Sequence, residues 1–318
     1  MAALAGAAAY AVSACGTDNN FAPIETRPDA DNGPVDVLQT QPLRVANFNT
    51  HNLFNDKLDS PDISGEQVDT TEVYQAHLTG VAKILAKLDA DVVVLEEVEN
   101  EAVLNDLVAR PEIAEKKYDY HAISAGDPRG IHIAAISTIP FQKVLSHGDE
   151  KFLADGTLVT PPTNETYYTF SRDCLELHIS LGRSIVLLGS HLKAKSSDDP
   201  EKRLAEARRT RFIANEHVGV SGVVILGDFN DGPGSDPINA LIGDNPAFTS
   251  AGALIPEADR WSYEYNGTRT LFDDQIVDPI MTAFRDPASV SLLHDSDLDP
   301  SLADVSDHAP IAVTYNIQ

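Results

Sequence analysis

Four apolar runs in this 318-residue chain end in side chains that can hold a metal ion or move a proton. Residues 45–48 end at Asn49, and residues 92–95 end at Glu96 and Glu97. Residues 185–188 pass Gly189 and Ser190 to reach His191, and residues 223–226 pass Gly227 to reach Asp228. A strand end holds a side chain rigidly yet leaves it open to a crevice, so Asn, Glu, His and Asp gathered there make an active-site pattern. At any one position the plainer reading is that polar residues begin where a strand surfaces. The four together favour a site.

Runs of strand length, enriched in β-branched residues, lie at 43–48, 91–95, 131–136, 174–179, 184–188 and 223–226. Between the first two, Val73, His77, Val81, Ile84, Leu85 and Leu88 recur at three- and four-residue spacing. That spacing predicts a helix, with Asp69, Thr70 and Thr71 as candidate caps and Glu72 in its first turn. Residues 201–216 have a second helical pattern. Many strands with interspersed helices, no second linker and no fixed-period repeat predict one layered α/β domain over residues 43–318.

Hydrophobic residues make up 42% of the chain and charged residues 23%, which supports a large core and excludes disorder throughout. Lys and Arg number 23 against 49 Asp and Glu, a net charge of −26, so a broad nucleic-acid-coating surface is excluded. Positive charge is concentrated just after His191, in Lys193, Lys195, Lys202, Arg203, Arg208, Arg209 and Arg211. Two readings stay open for this strip. It is an arm that grips a phosphodiester backbone, or a solvated helix laced by ion pairs with Glu201 and Glu206. Arg172, after Tyr167, Tyr168 and Phe170, is either a further phosphate contact or a packed arginine.

Six short segments in order carry a resemblance: Phe48-Asn49-Thr50-His51-Asn52-Leu53-Phe54, Val94-Leu95-Glu96-Glu97-Val98-Glu99-Asn100, Gly189-Ser190-His191-Leu192-Lys193, Gly227-Asp228-Phe229-Asn230-Asp231, Asp274-Gln275-Ile276-Val277 and Ser306-Asp307-His308-Ala309-Pro310. Residues 43–316 thereby resemble the endonuclease/exonuclease/phosphatase superfamily, which includes pancreatic-type deoxyribonucleases, abasic-site endonucleases, sphingomyelinases and inositol-polyphosphate phosphatases. Arg-Gly-Ile at Arg129 and Tyr-x-Tyr-x-Gly at Tyr263 add the flavour of bacterial extracellular-nuclease-like members.

The resemblance implies a four-layer α/β sandwich of two packed mixed β-sheets flanked by helices. It implies hydrolysis of a phosphoester by an activated water, with Mg²⁺ (or Mn²⁺) as the ion suited to hard oxygen ligands. By the same resemblance Glu97 is the principal metal carboxylate, with Asn49 beside it and Asp307 contributing. Asp228 orients or deprotonates the water, assisted by Asn230. His308 contacts the scissile phosphate and is polarised by Asp274, and His191 protonates the leaving oxygen. Lys193, Lys195 and Arg172 are the candidate substrate contacts.

Plainer readings stand beside these. His191 could be a strand-end histidine satisfied by backbone, Asp307 a cap or solvated acid, and residues 228–231 an ordinary turn encouraged by Gly232-Pro233-Gly234. His51, His77, His132 and His178 read as structural or surface residues, Glu96 and Glu99 as non-ligands, and no Cys/His cluster suggests zinc. Asp295-x-Asp297-x-Asp299 has Pro300 where an EF-hand needs glycine, so only a looser Ca²⁺ site remains open there.

Of two cysteines, Cys174 lies in the domain and Cys15 in an alanine-rich leader, which leaves no disulfide framework. Val12-Ser13-Ala14-Cys15 resembles the lipobox of bacterial lipoproteins, which implies residues 1–15 as signal segment and membrane attachment through a lipidated Cys15. Residues 16–42 hold Pro23, Pro28, Pro34 and Pro42 with scattered acids, the composition of an extended linker. The expectation is a monomeric envelope-bound or secreted enzyme. Its substrate is a nucleic-acid phosphodiester, with a phosphomonoester or lipid headgroup next, and a non-catalytic binding lipoprotein last.

Overall fold

The structure is a computed structural model that describes residues 40–59, 68–125, 127, 129–197 and 199–318. The leader with Cys15, and the linker up to residue 39, lie outside the described residues. In chain order the main elements are β1 (Gln41–Leu53), α1 (Thr71–Leu88), β2 (Val92–Val98), α2 (Glu101–Val108), β3 (Tyr120–Ile123), β4 (His132–Ser137) and β5 (Lys143–Ser146). Then come β6 (Cys174–Ser180), β7 (Ser184–Ser190), α3 (Pro200–His217), β8 (Gly222–Asp228), α4 (Asp236–Ile242) and β9 (Thr249–Ser250). The chain ends with β10 (Tyr263–Tyr265), β11 (Thr268–Thr270), β12 (Asp273–Val277), α5 (Pro279–Phe284), β13 (Ser291–Leu292) and β14 (Ile311–Ile317).

One six-stranded sheet has the order β13-β14-β1-β2-β4-β3 and the other β5-β6-β7-β8-β12-β9. Both are mixed: β1 and β2 are parallel, as are β7 and β8, among antiparallel neighbours. The strands alternate their apolar side chains between two faces, and three buried clusters result. Val45, Val94, Leu175 and Leu187 meet between the sheets. Phe48, Val93 and Leu95 face Leu78, Val81 and Leu85 of α1. Val186, Leu188 and Ile225 face Ala205, Ile213 and Ala214 of α3. Three apolar layers separate four layers of structure, the predicted sandwich.

Helix α1 starts where expected, with Thr70 Oγ1 accepting from the Val73 N–H at 3.3 Å. Its buried stripe runs Tyr74, Leu78, Val81, Leu85 and Leu88, so Val73, counted in the predicted face, is exposed. β1 begins two residues earlier than expected: Gln41 and Pro42, assigned to the linker, pair with Ile317 and Asn316. Gln275 links the sheets, donating from Nε2 to Val45 O at 3.0 Å and accepting from Tyr315 Oη at 2.8 Å. Among the described residues, no helix is long and apolar enough to cross a membrane.

Candidate active site

The ends of β1, β2, β7, β8 and β12 open into a cleft of about 800 Å³ lined by Glu97, Arg172, His191, Asp228, Asn230 and His308, among others. Strand register sets who meets whom. Asn49 pairs with Glu96 across β1 and β2, and Asp228 pairs with Asp273 across β8 and β12. Asn49 Nδ2 donates to Asp228 Oδ2 at 3.1 Å and to Glu97 Oε1 at 3.4 Å. His191 Nε2 lies 3.4 Å from Asp228 Oδ2 and 3.9 Å from Glu97 Oε1. Asn230 donates to Asp228 Oδ2 from Nδ2 at 3.3 Å and to Asp228 Oδ1 from its backbone at 2.8 Å.

Alternation along β2 should turn Glu97 toward the helix face with Leu95. A bulge at Glu96/Val98 breaks the register, Glu97 takes φ 64°, and its carboxylate enters the cleft, where Oε2 accepts from Asn52 N at 2.9 Å. His51, Asn52 and Asn230 also have positive φ, near 50–55°, so several residues around the cleft sit in a conformation that costs of order 1–3 kcal/mol each. Gly227, at φ 135°, is a place at the cleft where glycine is required: a Cβ there would lie 2.1 Å from Ser190 O and 2.8 Å from Glu96 Oε1.

Glu96 keeps the regular phase, is fully buried, and neither carboxyl oxygen has a partner. Burial first, then Asp273 and Asp228, hold it well above the usual carboxylate range. Burial likewise raises Glu97 and Asp228, against the pull of His308. For His308 burial works downward, but Asp273 and Asp228 outweigh it and raise the ring to about 10. Burial, Arg172 and His308 push His191 well below its ordinary value, so one ring of the pair is cationic and the other neutral.

The profile of the Endonuclease/Exonuclease/phosphatase family matches residues 44–284, well over half of the chain. The chain belongs to this family. Its members are metal-dependent hydrolases of phosphoester bonds. Among solved structures, D. rerio TDP2 complexed with single-strand DNA product is similar at TM-score 0.59 and 18% identity, covering 86% of this chain and 99% of that one. The human Nocturnin catalytic domain with bound sulfate gives TM-score 0.57 and 14% identity over 87% of this chain and 95% of that one. A Bacteroides thetaiotaomicron protein of the same family gives 0.58 and 15% over 88% and 96%. These likenesses establish the shared fold. No curated protein matches.

The structure gathers most of the predicted site residues of this family member but corrects several. Asp274 is not the partner of His308. His308 Nδ1 donates to Asp273 Oδ2 at 2.7 Å. Alternation along β12 points Asp273, Gln275 and Val277 between the sheets and Asp274 and Ile276 to the other face, where Asp274 accepts from Ser250 Oγ and Gly252 N. Asn49 presents its amide nitrogen to the two carboxylates and accepts from His51 N through its oxygen. Asp307 is half exposed at the rim, with Oδ1 3.7 Å from His51 Nδ1.

The basic strip belongs largely to the interior. Arg203 pairs with Asp231 at 3.1 Å, Arg209 with Glu150 at 2.7 Å, and Arg211 donates to the backbone oxygens of Leu241, Ile242 and Pro246 over the Phe248 ring. Lys193 uses its backbone to bond Glu206 and Arg203 and does not line the cleft, whereas Lys195 does, bound to Asp231 at 2.8 Å. Arg172 is buried at the cleft wall and donates to Leu192 O at 3.2 Å. Asp295, Asp297 and Asp299 lie at short helical turns, where Asp297 accepts from His294 N and Asp299 from Ser301 N.

Residues missed in the sequence include Asp273, Tyr263 and Phe272. Tyr263 sits 4.8 Å from the His308 ring and stacks at 5.1 Å on Phe272. The Tyr-x-Tyr-x-Gly segment was the available signal: Asn266-Gly267, both at positive φ, closes the β10–β11 hairpin that presents Tyr263. The donor set fits a hard divalent cation, because Glu97 Oε1 and Asp228 Oδ2 face one space and burial raises both carboxyls there.

Proposed function

We propose that this chain is a divalent-metal-dependent phosphodiesterase that hydrolyses nucleic-acid phosphodiesters by an activated water. The observation that carries this reading is Asp228, held by Asn49 and Asn230 and lying 3.8 Å from the His308 imidazolium and 3.4 Å from His191. Glu97 and Asp307, with Asn49 beside them, are the residues that would hold Mg²⁺ or Mn²⁺. The bound cation supplies Lewis-acid polarisation of the phosphoryl group and cover for developing charge.

The chain's own groups do the rest. Asp228, fixed by two amides, accepts a proton from the attacking water while the phosphorus–oxygen bond to the leaving group breaks. His308, kept cationic by Asp273, meets the phosphoryl oxygens and is the ring with a proton to give the leaving oxygen. His191, neutral in its buried pocket, hydrogen-bonds rather than donates charge, which moves the leaving-group role away from it. Arg172 and Lys195 offer phosphate contacts, and Tyr263 with Phe272 offers a stacking surface for a base.

One observation favours a second reading, a phosphomonoester or lipid headgroup as substrate. Three of the four arginines in the strip, Arg203, Arg209 and Arg211, are tied up inside the fold and so withheld from a long polyanion. The full chain tested in Mg²⁺ and in chelator against plasmid DNA, RNA, a sphingomyelin analogue and an inositol phosphate separates the two. Preference for nucleic acid supports the first. Asp228→Ala, still folded, should lose most turnover, and unchanged turnover overturns the assignment. Attachment to the cell envelope through Cys15 belongs to the same proposal, and lipid labelling that persists in Cys15→Ser overturns it.

A further inference from the structure

Glu176 and His178 lie two residues apart on β6, so the pleat points both to one side, the face that carries Cys174 toward α3. His217, the last residue of α3, arrives over them, and His147, just past β5, closes the group from the edge. His178 Nε2 hydrogen-bonds Glu176 Oε1, and His217 Nε2 lies 3.3 Å from the same oxygen. His147 Nε2 bonds the other oxygen, Oε2, at 2.9 Å. The ligand atoms of Glu176, His178 and His217 all lie within 4.8 Å of one another.

This carboxylate, as placed, hydrogen-bonds two of the three imidazoles. With Oε1 taken by His178 and Oε2 by His147, His217 Nε2 is buried without a hydrogen bond. The 3.3 Å separation of His217 Nε2 from Oε1 is also about the edge of a tetrahedron drawn with zinc–nitrogen and zinc–oxygen bonds of about 2.0–2.1 Å. Outer support is in place as well. His147 Nδ1 is bonded to Glu150 at 2.8 Å, and Glu150 is clamped by Arg209 at 2.7 Å, which fixes the oxygen of Glu176 that points away from the two histidines. Both histidine side chains keep 19% of their surface in solvent, so an ion has a way in.

We propose that Glu176, His178 and His217 form a transition-metal site, separate from the catalytic cleft, with Zn²⁺ as the ion best suited to two imidazoles and one carboxylate. His147 positions the carboxylate and is not a ligand. Three protein ligands leave one tetrahedral position to water. Bound metal ties the end of α3 to β6, so its effect is on stability, whatever ester the cleft hydrolyses.

The test uses the full chain, stripped with chelator and then held in excess Mg²⁺, titrated with Co²⁺ as a visible probe. One equivalent should bind with the intense ligand-field absorption of four-coordinate cobalt and be displaced by Zn²⁺, and Zn²⁺ should raise Tm by about 5 °C. Glu97→Gln should keep the cobalt band. His178→Gln and His217→Gln, which keep hydrogen-bonding capacity, should each lose the band and the Zn²⁺-dependent rise while retaining Mg²⁺-dependent hydrolysis as proof of folding. No saturable Co²⁺ uptake in Mg²⁺, a band lost in Glu97→Gln, or a band unchanged in both histidine variants overturns the site. Should either variant fail to fold, absence of Co²⁺ uptake by the native chain is the deciding result.

Discussion

His308 and Asp273 form a buried pair, Nδ1 to Oδ2 at 2.7 Å, while the adjacent Asp274 turns its carboxyl to Ser250 and Gly252 on the other face of β12. The carboxylate fixes the tautomer and stabilises the imidazolium, so Nε2 faces the cleft with a proton. Asp273→Asn should lower kcat by about 10²–10⁴-fold, the usual worth of a positioned acid or base. Asp274→Asn should lower the unfolding midpoint and leave kcat near wild type. Steady-state kinetics on both variants, at a temperature where both remain folded, check the contrast. Equal loss of kcat in the two would show that the pair is not what activates the ring.

Removing the divalent cation should abolish hydrolysis, and restoring Mg²⁺ should return it. Glu97→Gln keeps the hydrogen bond from Asn52 N but removes the charge. It should raise the Mg²⁺ concentration for half-maximal activity by at least about 10–100-fold, the loss seen when even an outer partner of a metal site is disturbed. A Mg²⁺ titration of initial rates reads this directly, and an unshifted midpoint removes Glu97 from the cation site.

Arg211 and Lys195 should separate by readout. Arg211 is buried against the α4 end, with three backbone acceptors and an aromatic face 3.8 Å away. Arg211→Ala should cost about 3 kcal/mol of stability with KM unchanged, because it strands those carbonyls. Lys195→Ala should raise KM and flatten the salt dependence of kcat/KM, with little change in Tm. Urea unfolding and kinetics in graded salt measure the two. A KM effect from Arg211 would place α3 at the substrate after all.

Glu206 on α3 is fully buried, with Oε1 accepting from Ser171 N at 2.7 Å and Oε2 from Lys193 N at 2.6 Å. It therefore joins the loop before Arg172 to the loop after His191. Burial raises its pKa above the ordinary glutamate value despite those two donors. The folded chain thus binds its proton more tightly than the unfolded chain, and this contribution is fully present below the unfolded pKa of about 4.3 and lost as pH rises through the folded value. Glu206→Gln removes the titration, so its stability relative to wild type should improve as pH rises from about 4 toward neutrality. Urea midpoints of both proteins across that range test it, and parallel curves would show that Glu206 ionises as freely in the fold as in the unfolded chain.

Much of the frame was legible in the residues. Apolar runs enriched in β-branched residues marked β1, β2, β4, β6, β7 and β8 to within a few residues, and Thr70, one of three candidate caps, announced α1, because these signals are local and follow from side-chain type, period and capping. The polar residues at the strand ends, Asn49, Glu97, His191 and Asp228, were found for the same reason. β12 and β14 were not read as strands.

What lay beyond the linear chain depended on phase and on long-range closure. Neighbouring aspartates at 273 and 274 have like chemistry, and only the register of β12 against β8 decides which one reaches His308. A single bulge sends Glu97 into the cleft and leaves Glu96 buried without a partner. The basic strip after His191 read equally as a gripping arm or an ion-paired helix until α3 packed Arg203, Arg209 and Arg211 inward, and Glu176, His178, His217 and His147 meet only because β6, the end of the edge strand β5 and a helix end arrive at the same place. The order of six short segments, through the family resemblance, implied the sandwich, and composition and periodicity determined a layered α/β domain and the kind of side chain at each strand end. Tertiary packing decided their partners, because hydrogen bonds and charges act over a few ångströms of space while the residues that share them lie tens to hundreds of positions apart in the chain.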